Sequence, residues 1–205
     1  MKKFVIGFLL AAFSICVFLA SLPVRADSAV PKDEEMEPYA FSNVLNVPWV
    51  MQTGDHDCWA ACGSSICKYY KKPNSSKEQF AIQAGRDINQ EASLEEMIPG
   101  FNKYGLTPRY IHDSLSFGTV QNIIRYESDP ILMDATDHAV VIDGYSTDMY
   151  SDVERKEQIR YMDPDKEGGH FYISYFELAD PDGHGDPGPN APSSYMRWRG
   201  SLYDF

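Results

Sequence analysis

Cysteine is scarce in this chain, with four residues among 205, and one of them, Cys16, lies in an apolar N-terminal run. The other three are Cys58, Cys62 and Cys67, all within a stretch that we predict to be one helix. Neither their spacing of four residues nor that of five suits a disulfide within a single helix. We therefore predict a fold held together by its apolar core, with Cys62 and Cys67 as buried packing residues.

Basic residues are also few: 18 Lys and Arg face 30 Asp and Glu, for a formal net charge of −12. Three of the 18, Lys2, Lys3 and Arg25, would leave with the leader peptide described below, so that 15 remain and the mature charge is about −15. A surface of this sign is a poor partner for nucleic acid and for an anionic membrane. The acidity favours solubility outside the cell, and attraction of basic substrates is the alternative.

One long apolar run extends from Phe4 to Leu22, directly after Met1-Lys-Lys. Pro23 ends the run, and Val24-Arg-Ala26 offers small residues where a signal peptidase cleaves. This pattern predicts a signal peptide over residues 1–26, cleaved after Ala26. We expect the mature protein to be secreted, or to lie in the periplasm or cell envelope, without membrane attachment. An uncleaved anchor is the alternative, because the run approaches spanning length.

The remaining chain divides into an acidic, proline-containing segment over residues 27–46 and a longer part over residues 47–205. The first predicts a linker with little structure, and the sequence leaves open whether it regulates activity. The second is long enough for one domain with a full core. Its patterns predict helices at 76–84, 93–104 and 116–126, then strands at 131–135, 137–145, 158–162, 170–175 and 194–205. Helices before strands are typical of an α+β fold.

A polar, turn-forming loop from Gln52 leads into a run of small and apolar residues that begins near Cys58. We expect Asp57 to be the N-cap, its carboxylate accepting hydrogen bonds from free amides of the first turn. The Cys58 thiol would then lie at the positive end of the helix dipole, where a thiolate is favoured. Asp55 and Asp57 oppose thiolate formation unless Asp57 is engaged in capping. The Gln52 amide can reach the same point, so an acyl-transfer site is indicated.

A base for that site comes from later strands. His138 stands at the start of the apolar segment 137–145, and Asp163 ends the strand that begins at Gln158. A neutral imidazole can deprotonate Cys58, and a carboxylate can orient the ring and stabilise its protonated form. These residues predict a nucleophile, a base and an orienting group.

A Gln, five residues and then Cys-Trp at the head of a small-residue helix resembles the papain-like cysteine peptidases. The later His-Ala-Val-Val-Ile-Asp-Gly-Tyr and a strand ending in Asp-Pro are similar to compact bacterial branches of that clan, the bacteriocin-processing-like and secreted effector-type peptidases. The resemblance covers about Val47 to Leu178. It implies an α+β fold in which a helical half with a central nucleophile helix packs on an antiparallel β-sheet half, with the site in the cleft between them.

The resemblance also implies roles: Gln52 in the oxyanion hole, Cys58 as nucleophile, His138 as base and Asp163 as orienting residue. The hypothesis is an exported cysteine peptidase that hydrolyses peptide bonds through an acyl-enzyme. We expect a peptide or protein substrate, no cofactor, no nucleic-acid partner and a monomer. The alternatives are a transpeptidase or transamidase with the same thioester chemistry, and a catalytically silent binding module. Substrate preference stays open.

Other polar clusters compete with this site less well. His56, two residues before Cys58, is too close in sequence to present its ring to the same atom. The run from Asp55 to Cys58 contains zinc-ligand types, but adjacent positions do not spread tetrahedrally, so we expect no metal. The acidic loop over 180–186 resembles a calcium-binding turn without its distal Glu, which leaves calcium open. His112, His170 and His184 are predicted to be surface or structural residues.

Overall fold

Seven strands form one antiparallel sheet in the computed structural model, which describes residues 41–148, 156–179 and 197–205. The strand order is β2-β7-β3-β4-β5-β6, and β1 pairs with the distal half of β4. The strands are β1 Phe41–Val44, β2 Arg109–Ile111, β3 Ile131–Ala135, β4 His138–Asp148, β5 Lys156–Asp163, β6 Gly169–Ser174 and β7 Trp198–Tyr203. The predicted mixture of early helices and a later antiparallel sheet is therefore confirmed.

Helices form at the predicted ranges 76–84, 93–104 and 116–126, each beginning one residue after the predicted start. They are α1 Cys58–Tyr69, α2 Lys77–Ala84, α3 Leu94–Lys103, α4 Phe117–Asn122, which continues as a π-helical turn over Ile123–Glu127, and α5 Tyr175–Ala179. Ser76 accepts a hydrogen bond from the Gln79 amide at the start of α2. Ser93 and Glu96 form a complete capping box at the start of α3. Such caps act within a few residues, so they are visible in the sequence.

Helix α1 is buried from Trp59 to Cys67, as its small residues predicted. At Gly63 an added Cβ would overlap the Phe80 ring, so only glycine lets α1 and α2 approach this closely. On the other side, the Cys62 thiol donates a hydrogen bond to the Ala139 carbonyl oxygen at 3.2 Å. This bond fixes α1 against β4, next to His138, the first residue of β4.

The described fold starts earlier in the chain than predicted, which corrects the linker boundary at residue 46. Strand β1 lies inside the predicted linker and pairs with Gly144–Thr147 of β4. Strand β3 covers only His138–Ile142 of β4, so the distal half of that long strand has a free edge for β1 to cover. Residues 47–51, between β1 and the Gln52 loop, form no strand.

The C-terminal strand occupies an interior position of the sheet. β7 lies between β2 and β3, with Leu202 opposite Tyr110 on one side and Leu132 on the other. Leu202 and Leu132 are fully buried. The predicted closing strand is therefore confirmed as a strand, although its interior place was not predicted.

Three predictions fall on residues outside those that the structure describes: the signal peptide over 1–26, most of the linker over 27–40, and the acidic loop over 180–186 with His184. Among the helices within the described ranges, none has the length and apolar character to cross a bilayer.

Candidate active site

The sheet and α1 bring the predicted residues to one place. Cys58 is the first residue of α1, His138 the first of β4 and Asp163 the last of β5. Strands β4 and β5 are neighbours, and α1 packs on β4. A helix end therefore meets the ends of two paired strands, and Gln52 lies in the loop before the helix.

His138 and Asp163 are in direct contact. His138 Nε2 lies 2.9 Å from Asp163 Oδ1, and that oxygen also accepts the Asp165 amide at 2.9 Å. Burial raises the pKa of the Asp163 carboxyl, but the hydrogen bonds from His138 and the Asp165 amide outweigh it and hold this pKa below its usual value. Asp163 is therefore an anion at neutral pH, aimed at the imidazole.

The other side of the His138 ring engages Cys58. Because Nε2 faces Asp163, the ring atom left for the thiol is Nδ1. Burial lowers the pKa of His138, but the hydrogen bonds and negative charges of Asp163 and Cys58 outweigh burial and raise it to about 10. The His138 ring thus keeps its proton at neutral pH.

Asp57 occupies the N-cap position of α1, but its carboxylate does not cap the helix, so that prediction was wrong. The carboxylate turns back and accepts the Thr53 and Gly54 amides at 3.1 and 3.0 Å and Lys77 Nζ at 2.5 Å. Burial raises the pKa of Asp57, but these bonds lower it below its usual value. A buried ammonium therefore neutralises the charge beside Cys58 and pins the preceding loop.

The loop that carries Gln52 is also tied to the end of β5. The backbone N–H of Gln52 donates a hydrogen bond to the Pro164 carbonyl oxygen at 2.7 Å. Trp49 Nε1 donates a hydrogen bond to the Asp163 carbonyl oxygen at 2.8 Å. Trp49 is 42% exposed, so its indole contributes this hydrogen bond at the surface. The side-chain Oε1 of Gln52 is buried and accepts no hydrogen bond from the residues that the structure describes. The loop is thus held at its start by the bond between Gln52 and Pro164, and at its end by the Asp57 carboxylate.

The competing histidines have other contacts. His56 Nδ1 lies 3.3 Å from Glu91 Oε1, and His112 Nδ1 lies 2.9 Å from the Tyr110 hydroxyl. His170 was predicted to be a surface or structural residue, and its Nδ1 lies 2.8 Å from Oδ2 of the buried Asp143. These contacts fit surface and structural roles.

One group of acidic residues within the described ranges has a geometry that suits a metal ion. Glu127, Asp129 and Asp204 place carboxylate oxygens within 4.8 Å of one another. Asp129 already accepts a hydrogen bond from the Tyr70 hydroxyl at 2.6 Å. The group belongs to the end of the π-helical turn and the C-terminus, and it shares no residue with the Cys58 site.

A cavity of about 330 Å³ opens beside Cys58 and His138. Its wall is formed by the loop before α3, the start of α3, the β3–β4 turn and β7. The charged residues of this wall are Glu91, Glu96, Asp134, Asp137 and Arg199. A volume of this size lies at the lower end of the usual range for ligand sites.

The sequence of the chain matches a known protein family. A family model described as papain-like cysteine protease AvrRpt2 matches residues 41–176, which is more than half of the chain. No curated protein matches in sequence.

Two solved structures are similar. The peptidase domain of Streptococcus ComA, a bi-functional ABC transporter involved in a quorum sensing pathway, is 15% identical with a TM-score of 0.47; the match covers 76% of this chain and 96% of that one. UfSP from C. elegans is 13% identical with a TM-score of 0.52, and the match covers 82% of this chain and 34% of that one.

The matched family range begins at β1 and ends in α5, so it contains Gln52, Cys58, His138 and Asp163. The likeness to UfSP agrees with the α+β architecture of a helical part packed on an antiparallel sheet. The fold is papain-like and the protein is a cysteine peptidase. The chain belongs to the family described as papain-like cysteine protease AvrRpt2.

Proposed function

We propose that this peptidase hydrolyses peptide bonds through an acyl-enzyme on Cys58, with His138 as acid and base and Asp163 as the residue that orients His138. The observation that carries the proposal is the His138 ring, which contacts Cys58 on one side and has Nε2 2.9 Å from the Asp163 carboxylate on the other. A nucleophile, a base and an orienting group in contact are the arrangement that covalent acyl transfer requires.

The reaction has two halves. The Cys58 thiolate attacks the scissile carbonyl carbon, and the His138 imidazolium gives its proton to the leaving amine as the C–N bond breaks. The neutral ring then takes a proton from water, whose oxygen attacks the thioester and releases the acid and the thiol. Asp163 stays ionised throughout, because its hydrogen bonds keep its pKa low.

Gln52 completes the site as an oxyanion donor in this proposal, together with the backbone N–H of Cys58. The first amides of a helix have no partner within the helix, so the Cys58 N–H is available. The Gln52 loop is held between Pro164 and the Asp57 carboxylate, which supports a preorganised donor. Preorganised donors act where negative charge develops in the transition state.

Gln52→Ala should lower kcat by about a hundredfold or more while leaving KM nearly unchanged, because one donor to the transition-state oxyanion is lost. Steady-state cleavage of a peptide substrate measures both constants. Gln121→Ala, on α4 and outside the site, is the matched control and should behave like wild type. A normal kcat in Gln52→Ala would remove Gln52 from the oxyanion hole.

Alkylation of Cys58 by iodoacetamide should remain fast at pH 6.5. The pKa of His138 is about 10, above its ordinary value, so the ring holds its proton through neutral pH and releases it only as the pH rises toward 10. The imidazolium therefore stabilises the thiolate at pH 6.5. In His138→Gln the alkylation rate at pH 6.5 should be about fiftyfold lower than at pH 8.5, as for an ordinary thiol.

His112→Gln is the control for this experiment and should keep the wild-type profile. Peptide mapping by mass spectrometry identifies the labelled cysteine; Cys62 and Cys67 are buried and should not react in the folded protein. Labelling at neither pH, or labelling that maps elsewhere than Cys58, would overturn the proposed nucleophile.

Export is the second part of the proposal. The apolar run followed by Val24-Arg-Ala26 supports secretion with cleavage after Ala26. N-terminal sequencing of protein recovered outside the producing cytoplasm should begin at Asp27. Recovery of membrane-bound protein with the apolar run intact would favour the uncleaved anchor.

A further inference from the structure

We propose that the cavity beside Cys58 selects a Lys or Arg side chain of the substrate, near the bond that is cleaved, and that Asp134 is the main determinant. The inference rests on the proposed function, because it assumes that peptides bind across Cys58 and His138. The cavity touches both residues, so a substrate side chain placed there belongs to a residue close to the scissile bond.

The charges of the cavity wall do not balance. Four carboxylates, Glu91, Glu96, Asp134 and Asp137, face a single guanidinium, Arg199. The two glutamates have partners outside the wall: His56 lies 3.3 Å from Glu91 and Arg86 lies 2.7 Å from Glu96. The two aspartates must therefore share Arg199, so the four carboxylates of the wall are matched by two arginines, Arg86 and Arg199, and negative charge is in excess.

Asp134 is the carboxylate that lacks a close partner. It lies on β3 opposite Gly200 of β7, at an irregularity in the strand register, and is half-buried. None of the described residues donates a hydrogen bond to its carboxylate. Burial raises the pKa of Asp134, and the more distant charges of Arg199 and His112 only partly oppose that shift. A cationic side chain in the cavity would supply the missing counter-charge.

Asp137 contributes a second negative charge to the same part of the cavity wall. It forms the two-residue β3–β4 turn with Thr136, where its φ of +56° is tolerated because aspartate is among the residues that adopt the left-handed region. Its side chain is 84% exposed and lies 3.9 Å from Arg199. Arg199 is thus drawn toward the turn as well as toward Asp134. A lysine or arginine that enters the cavity meets carboxylates, whereas an acidic side chain is repelled.

The test begins with cleavage of a mixed library of unstructured peptides, followed by mass spectrometry of the products. One position near the cleaved bond should be enriched in Lys and Arg and depleted in Asp and Glu. A peptide from that set is then made with Lys or with norleucine at this position. Norleucine keeps the aliphatic stem and removes the charge, so the ratio of the two kcat/KM values measures the charge preference.

In Asp134→Asn the Lys-to-norleucine ratio should fall about tenfold to a hundredfold, the worth of one charge-assisted hydrogen bond. Asp137→Asn should lower it several-fold, since Asp137 is more exposed. Glu127→Gln, which removes one charge on the π-helical turn away from the cavity, should leave the ratio at its wild-type value. Thermal unfolding confirms that each variant is folded.

Two outcomes would overturn the inference: peptide cleavage with no enrichment of basic residues, or an unchanged ratio in both aspartate variants. If Asp134→Asn does not fold, Asp137→Asn and the library profile decide. No peptide cleavage and no labelling of Cys58 would instead contradict the proposed function itself, so the two failures are distinguishable.

Discussion

Cys58→Ala should abolish peptide cleavage, with kcat reduced by roughly 10⁵-fold or more, and should leave the fold intact. The substitution removes the sulfur of the proposed nucleophile, and Cys58 is only partly buried at the start of α1. The loss should therefore appear in activity and not in thermal stability. A discontinuous cleavage assay with long incubation measures the residual rate, and circular dichroism follows unfolding.

Cys67→Ala is the matched control because it makes the same chemical change on the same helix, in the core. We expect the opposite result: full activity and reduced stability, since buried atoms are lost without contact to His138. Wild-type cleavage in Cys58→Ala would contradict the mechanism.

Cys62 does not offer a substitute nucleophile in that variant. Its thiol is fully buried and donates a hydrogen bond to the Ala139 carbonyl oxygen. Burial, with smaller contributions from the charges of Cys58 and Asp163, raises the pKa of Cys62 well above its usual value. Cys62 therefore remains a neutral donor that ties α1 to β4, a role beyond the packing that was predicted for it.

Lys77→Met should destabilise the protein by about 3–5 kcal/mol and also reduce activity. The substitution leaves the buried Asp57 carboxylate without its ammonium partner, directly before Cys58. An unpaired buried charge is costly, and the Thr53–Gly54 turn would have to move to let water reach it. Urea denaturation measures the free energy of unfolding, and Lys103→Met, an exposed lysine on α3, should change it by less than about 0.5 kcal/mol.

A double variant separates charge from packing. Asp57→Asn combined with Lys77→Met has no charge left to bury, so it should be more stable than Lys77→Met alone. In the wild type the pKa of Asp57 is depressed, so its contribution to stability is present above the unfolded-state pKa and is lost as the pH falls through the folded value. This acid sensitivity should disappear in the double variant. If Lys77→Met were as stable as the wild type, the stabilising role of the Asp57–Lys77 ion pair would be contradicted.

Capping and strand-end residues were predictable because they act locally. Ser76 and Ser93 each accept a hydrogen bond from the amide three residues ahead, so these caps involve only neighbouring residues of the chain. Cys58 at a helix start and His138 at a strand start were likewise placed correctly. The boundaries of β1 were missed because four residues give too short a pattern, and its stability comes from the edge of a strand a hundred residues later.

Asp57 shows why local rules were insufficient. Aspartate before a small-residue helix is a good N-cap on local grounds. Lys77, twenty residues later, lies buried on α2 and competes for the same carboxylate, and lysines are rarely buried without such a partner. Nothing around Lys77 in the chain marks it as buried, because only the close approach of α1 and α2 brings it to Asp57.

The sequence alone thus determined the order of helices and strands and the residues at which the helices begin. It also determined that a thiol, an imidazole and a carboxylate stand at Cys58, His138 and Asp163. Capping and hydrophobic patterning act over a few residues, so they leave a readable pattern. The partners of Asp57, the placing of the Gln52 loop and the charge imbalance around Asp134 were decided only by the tertiary structure. Ionic and hydrogen-bond contacts depend on a few ångströms of distance in space, and separation along the chain does not predict that distance.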